Sequence, residues 1–217
     1  LHRLIRRQRQ MCIRDRAFSY ISPILAQKDS VNSSNYLLII NSYTEAAPWS
    51  FRMISAITEY AQNSPQLALY TEHMNMLMMD TDSTLNEFRQ TVLEKYKQHS
   101  PRMLILLGNS SMILRDDFRK MWGNIPIILC AEEDYIGPKE FYLQKKPVEL
   151  TARTPIADMA QPYNLTFLHS NFYIKENIDL ICRMTPDIKN FIFIGDERQN
   201  NQTYNMVIKQ ELKKSHP

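Results

Sequence analysis

Three short stretches hold the side chains of this chain that could do chemistry: residues 41–50 (NSYTEAAPWS), 108–111 (GNSS) and 131–135 (AEEDY). Together they offer hydroxyls, amides, carboxylates and two large aromatic rings, Tyr43 and Trp49. Each follows a short apolar run. In an open parallel sheet, ligands collect beyond the carboxyl ends of the strands, so these stretches read as a palette for recognising a small polar molecule.

The same residues do not spell a catalytic centre. No GxxxxGK[ST] phosphate loop occurs, and Gly108 and Gly123 are too isolated for a dinucleotide fingerprint. The GNSSM at 108–112 lacks the second glycine of a nucleophile elbow, and the GDE at 195–197 has no serine. A phospho-accepting receiver needs acids after its first strand and an Asp after its third, where this chain has Asn41-Ser42 and Gly108-Asn109. The five histidines are scattered, with no pair at metal-ligand spacing. Residues 73–80 (HMNMLMMD) pack one His and four Met together, and thioethers suit Cu(I). Their place between a strand and a well-capped helix reads instead as methionine filling gaps over a core. Neither a metal nor a cofactor is expected, and no enzyme activity of this stretch.

The elements that must position these groups alternate strictly. YLLII (36–40) is short and wholly apolar, as a parallel strand covered on both faces should be. A helix is predicted over 48–64, with Pro48 in its first turn and Trp49, Met53, Ile57 and Tyr60 along one stripe. LALYT (67–71) alternates as a strand. The next helix opens at 84 with a capping box, Thr84 and Glu87, and carries Leu85, Phe88, Val92 and Tyr96 on one face. Strand 103–107, helix 114–123 and strand 125–130 follow, and this spacing demands right-handed crossovers and a parallel sheet between helix layers. From 131 to about 161 the pattern lapses into an irregular connection. An outer strand is predicted at 165–170, a helix at 174–186 with Ile174, Ile178, Ile181 and Cys182 on one side, a buried strand at 191–196, and a last amphipathic helix at 203–217. The expected fold is α/β, a doubly wound parallel sheet.

The chain has 217 residues, 44% hydrophobic and 23% charged, the composition of a soluble globular protein. Its net charge of +3 is unevenly placed. Residues 1–16 hold six Arg and one Asp, so without them 20 basic face 22 acidic residues. That basic tail, RRQRQMCIRDR in its main part, looks like the translation of a transposase-type sequencing-library adapter and gives no reason to expect a nucleic-acid partner. Residues 17–33 look like the end of a secretory signal peptide and a polar linker, AFSYISPILAQ followed by KDSVNSSN. Outside the tail only Cys130 and Cys182 remain, each in an apolar segment, and two free thiols are expected rather than a bridge.

The stretches YLLIINSYTEAAPWSFRMISAI, RMLILLGNSSMILRDDF, IPIILCAEEDY and FYIKENIDLICRMTPDIKNFIFIGD together resemble the extracytoplasmic sensing region of Bacteroides-type membrane sensor histidine kinases. That region is similar in turn to ABC-transporter substrate-binding proteins with the type I periplasmic-binding fold. The resemblance implies a first α/β lobe over 34–168, the start of a truncated second lobe over 169–217, and a small molecule held between lobes. It implies a periplasmic location, a membrane connection through a further C-terminal region, and a possible dimer in the full-length parent. Carried over by position, the cleft residues would be Ser42, Tyr43, Trp49, Asn109, Ser110, Glu132 and Asp196. The alternative is a free periplasmic binding protein serving a transporter.

Overall fold

A computed structural model describes residues 35–64, 66–145, 148–169, 173–194, 204–205 and 208–209. The adapter-like tail, the signal-like segment and Asp196 lie outside the described residues. In chain order the elements are β1 (Tyr36–Asn41), α1 (Pro48–Gln62), β2 (Ala68–His73), α2 (Asp82–Tyr96), β3 (Met103–Leu107), α3 (Arg115–Trp122) and β4 (Ile127–Ala131). Then follow β5 (Tyr135–Ile136), α4 (Lys139–Leu143), β6 (Thr154–Pro155), α5 (Ile156–Met159), β7 (Leu165–His169) and α6 (Ile174–Met184). Five strands form one parallel sheet in the order β2-β1-β3-β4-β7, and β5 and β6 pair antiparallel on their own.

Both faces of the sheet's centre are covered, which is why β1, β3 and β4 are apolar along almost their whole length. Ile39, Ile105, Leu107 and Cys130 point to one face, where Met53, Ile54 and Ile57 of α1 pack on them. Tyr36, of opposite parity to Ile39, stacks on Tyr96 of α2 at 5.9 Å on the other face. Trp122 of α3 donates its indole N–H to the Tyr96 carbonyl, so α3 lies beside α2. The order β2-β1-β3-β4-β7 with helices on both faces is compatible with a Rossmann-like α/β fold.

Several local expectations shift. The helix stripe of α1 runs through Ser50, Met53, Ile54, Ile57 and Ala61, while Trp49 and Tyr60 are exposed. The α2 cap is Thr81, whose hydroxyl accepts from the Thr84 N–H at 3.2 Å, so the helix starts one turn before the Thr84–Glu87 box. Residues 131–161 are short-period but not loose: Ile136, Phe141, Tyr142, Leu143, Ile156 and Met159 are all buried. The outer strand at 165–169 forms as expected, pairing only with β4. Residues 191–194 form no strand, and Ile192 and Ile194 are exposed. No sheet edge among the described residues takes them up, and an apolar run without a partner strand gains nothing from strand geometry. The apolar stripe of α6 likewise has no fully buried residue.

The methionine-rich loop divides. Met74 and Met79 are buried and Met78 is exposed. No group of three or more His, Cys, Asp or Glu that could hold a metal occurs among the described residues. Both Cys130 and Cys182 are free thiols. No helix among the described residues is long and apolar enough to cross a membrane.

Candidate functional site

The order β2-β1-β3 makes a switch point between β1 and β3, because the chain leaves β1 toward one side of the sheet and returns to the other. Past the carboxyl ends of these strands lie residues 41–47, 108–111 and, one strand further, 131–135. Gly108 sits at the tip of β3 with φ +89, a conformation nearly closed to other residues. Any Cβ there would lie 2.9 Å from the Ser42 hydroxyl oxygen and 3.1 Å from the Tyr43 ring. Glycine therefore lets the loop after β1 lie directly over the end of β3.

Of the residues expected at a cleft, Ser42, Asn109 and Ser110 are buried. The Ser42 hydroxyl donates to the Gly108 carbonyl at 3.3 Å. Asn109 is turned wholly to its own chain. Its amide nitrogen donates to the carbonyls of Glu133 and Tyr135, both at 2.8 Å. Its amide oxygen accepts from the Glu132 N–H at 2.7 Å and the Glu133 N–H at 3.4 Å. Asn109 thus clamps residues 132–135 to the tip of β3, and fixes where the Glu132 side chain begins.

Tyr43 and Glu132 are half-buried and Trp49 is exposed at this edge of the sheet. Tyr43 donates its phenol hydroxyl to a Glu132 carboxylate oxygen, bridging the loops after β1 and β4. The Tyr43 and Trp49 rings meet edge to face at 5.5 Å. Such an aromatic pair beside a carboxylate offers an apolar wall and a hydrogen-bond acceptor side by side.

Further residues converge here that the sequence pattern did not single out. The Asn41 amide lies 2.9 Å from His73 Nδ1, joining the tips of β1 and β2. Burial lowers the His73 pKa, opposed only partly by Glu45 and Glu72, so this ring is neutral near pH 7 and its Nδ1 accepts. Asp134, past β4, pairs at 3.0 Å with His169, the last residue of β7. The Arg153 side chain, 1% exposed, binds Glu133 at 3.0 Å, donates twice to the Val148 carbonyl, and lies 4.6 Å above the Phe141 ring. Its charge is spent on Glu133. Tyr204 lies within the field of both Glu132 and Glu133; burial first, and these carboxylates second, push its phenol up to about 12. A tyrosine so far past β4 in the chain leaves no periodic trace of that approach, though the AEEDY run did mark where the acids would gather.

The loops at this edge supply acids and no bases of their own, Arg153 reaching Glu133 from outside them. Residues 41–47, 74–81, 108–111 and 131–138 contain Glu45, Asp80, Glu132, Glu133 and Asp134 and no Lys or Arg. The lysines that come next, Lys139 and Lys145, bind Asp82 and the Leu77 carbonyl. Cys130, at the end of β4, is no nucleophile: burial pushes its thiol up, and it packs in the α1-side core.

The fold is an α/β domain with a five-stranded parallel sheet, and Tyr43, Trp49 and Glu132 gather past the carboxyl ends of its strands. No protein-family model, no curated protein and no solved structure matches the chain.

Proposed function

We propose that this chain is the small-molecule-sensing region of a membrane sensor histidine kinase, facing the periplasm, with its ligand bound at the carboxyl ends of β1, β3 and β4. The observation that carries the reading is the Tyr43–Trp49–Glu132 set at the switch point. The hydroxyls and amide nearest to it, on Ser42, Ser111 and Asn109, are engaged by the chain's own backbone. That favours holding a molecule over altering one. The acidic edge suits a ligand with hydroxyl or ammonium donors and one apolar face. The exposed apolar side chains of α6 and 191–194 are in keeping with the first elements of a second lobe, which would close on that ligand. A ligand that touches both lobes only when they are closed shifts the open–closed equilibrium by its differential affinity, which is the signal. A transporter's free binding protein would use the same crevice.

The test is a melting scan against monosaccharides, amino acids and small amines. A ligand at a hundred times its Kd stabilises by about 2.7 kcal/mol, a rise of roughly 5–10 °C for a domain of this size. The expected result is such a saturable rise with at least one compound, lost in Trp49→Ala. No rise with any class, or a rise that Trp49→Ala leaves intact, overturns the reading.

A further inference from the structure

We propose that Tyr43 is a latch across the switch point, whose bond to Glu132 and occupation of the crevice exclude one another; this rests on the ligand-binding reading above. Three contacts carry it. The Tyr43 phenol reaches from the loop after β1 to Glu132 after β4, two strands away in the sheet. The ring passes over Gly108, where a Cβ would lie 3.1 Å from Tyr43 Cε2, so it fills the space directly above the tip of β3. Its other edge closes on Trp49.

The two sides of the latch differ in stiffness. Glu132 is pinned at its own N–H by Asn109 at 2.7 Å, and Asn109 is buried and held by two further carbonyls. Tyr43 is held at its N–H by Asn41 at 3.2 Å, and the loop beyond it turns through an Ala47-to-Thr44 backbone bond at 3.2 Å, with Glu45 and Ala46 exposed. The moving part is therefore the Tyr43 side, and the catch is the Glu132 side. Swinging Tyr43 out uncovers the switch point and adds to the surface of Trp49, which is 39% exposed with the latch closed.

Acrylamide quenching of tryptophan emission tests this without a ligand. The chain has two tryptophans, and Trp122 is stacked on Phe118 at 5.1 Å, away from the latch, giving the same background in each variant. Losing a hydrogen bond to a charged acceptor moves the open-to-closed ratio about tenfold toward open. Tyr43→Phe and Glu132→Ala should each raise the quenching of Trp49, and to the same extent, while Tyr60→Phe on the exposed end of α1 should not. Unchanged quenching in both variants, with circular dichroism showing the fold intact, overturns the latch. So does a rise in only one of them. Either result leaves the ligand-binding reading standing, because that reading depends on the melting scan alone.

Discussion

Replacing Asn109 by Ala separates a clamp from a ligand contact. Asn109 is 3% exposed and makes three hydrogen bonds of 2.7–2.8 Å and one of 3.4 Å, all to the backbone of residues 132–135. Alanine removes all four and strands two carbonyls and two N–H groups at the end of β4. A neutral hydrogen bond returns about 1 kcal/mol net, and a stranded buried partner costs about 1–3 kcal/mol. These contacts are only part-buried, so water recovers some of the loss, and the sum is roughly 3 kcal/mol. With a urea slope of about 2 kcal/mol/M, the unfolding midpoint should fall by about 1.5 M. Ser110→Ala, next to it, removes a hydroxyl with no hydrogen bond among the described residues and should shift stability by no more than about 0.5 kcal/mol. Urea titrations followed by circular dichroism measure both. A loss under about 1 kcal/mol for Asn109→Ala would refute the clamp, since a side chain kept free for a ligand contributes little to folding.

Two further outcomes follow from the same edge and core. Gly108→Ala puts a Cβ against Ser42 and Tyr43 at a φ of +89 and should cost about 1–3 kcal/mol, read as a lower melting temperature. Burial raises the phenols of Tyr36 and Tyr204 from 10.0 to about 12, and those of Tyr96 and Tyr142 higher still. Between these values the unfolded chain ionises its tyrosines while the folded one does not, so the unfolded state binds fewer protons. Stability should hold up to about pH 10 and decline from there to about pH 12 and beyond. Chemical unfolding across pH 8–12 checks this, and the ultraviolet absorbance of tyrosinate should lag in the folded protein.

The centre of the sheet was legible because β1, β3 and β4 are buried on both faces. The apolar runs at 36–40 and 103–107 became β1 and β3 with almost the same bounds, and 165–170 became the outer strand. Burial from two sides leaves a continuous apolar signal that needs no partner to be recognised. What failed was local competition. Thr84 and Glu87 satisfy the capping pattern, but Thr81 is one turn earlier and its hydroxyl reaches the Thr84 N–H first. Residues 191–194 have the composition of a buried strand and, among the described residues, no strand beside them.

The site was half legible for a related reason. Strand tips can be located from the runs that precede them, so the loops containing Tyr43, Asn109 and Glu132 stood out. Which of these side chains face outward depends on backbone groups of an aperiodic segment. Asn109 bonds carbonyls 24 and 26 residues away, and no pattern of residue types encodes that pairing. The Gly108-Asn109 pair was the available hint: a glycine at a strand tip signals an unusual φ and a close approach of another chain segment.

Every strand of the main sheet runs the same way, and β1 lies inside it, with Leu37 opposite Met103. A ribosome making about 5–20 residues each second therefore needs several seconds after the first strand emerges before its inner neighbour exists. Through that interval the nascent YLLII segment has one edge bare. Chaperone dependence during synthesis, rather than final stability, is where mutations in this strand should first be felt.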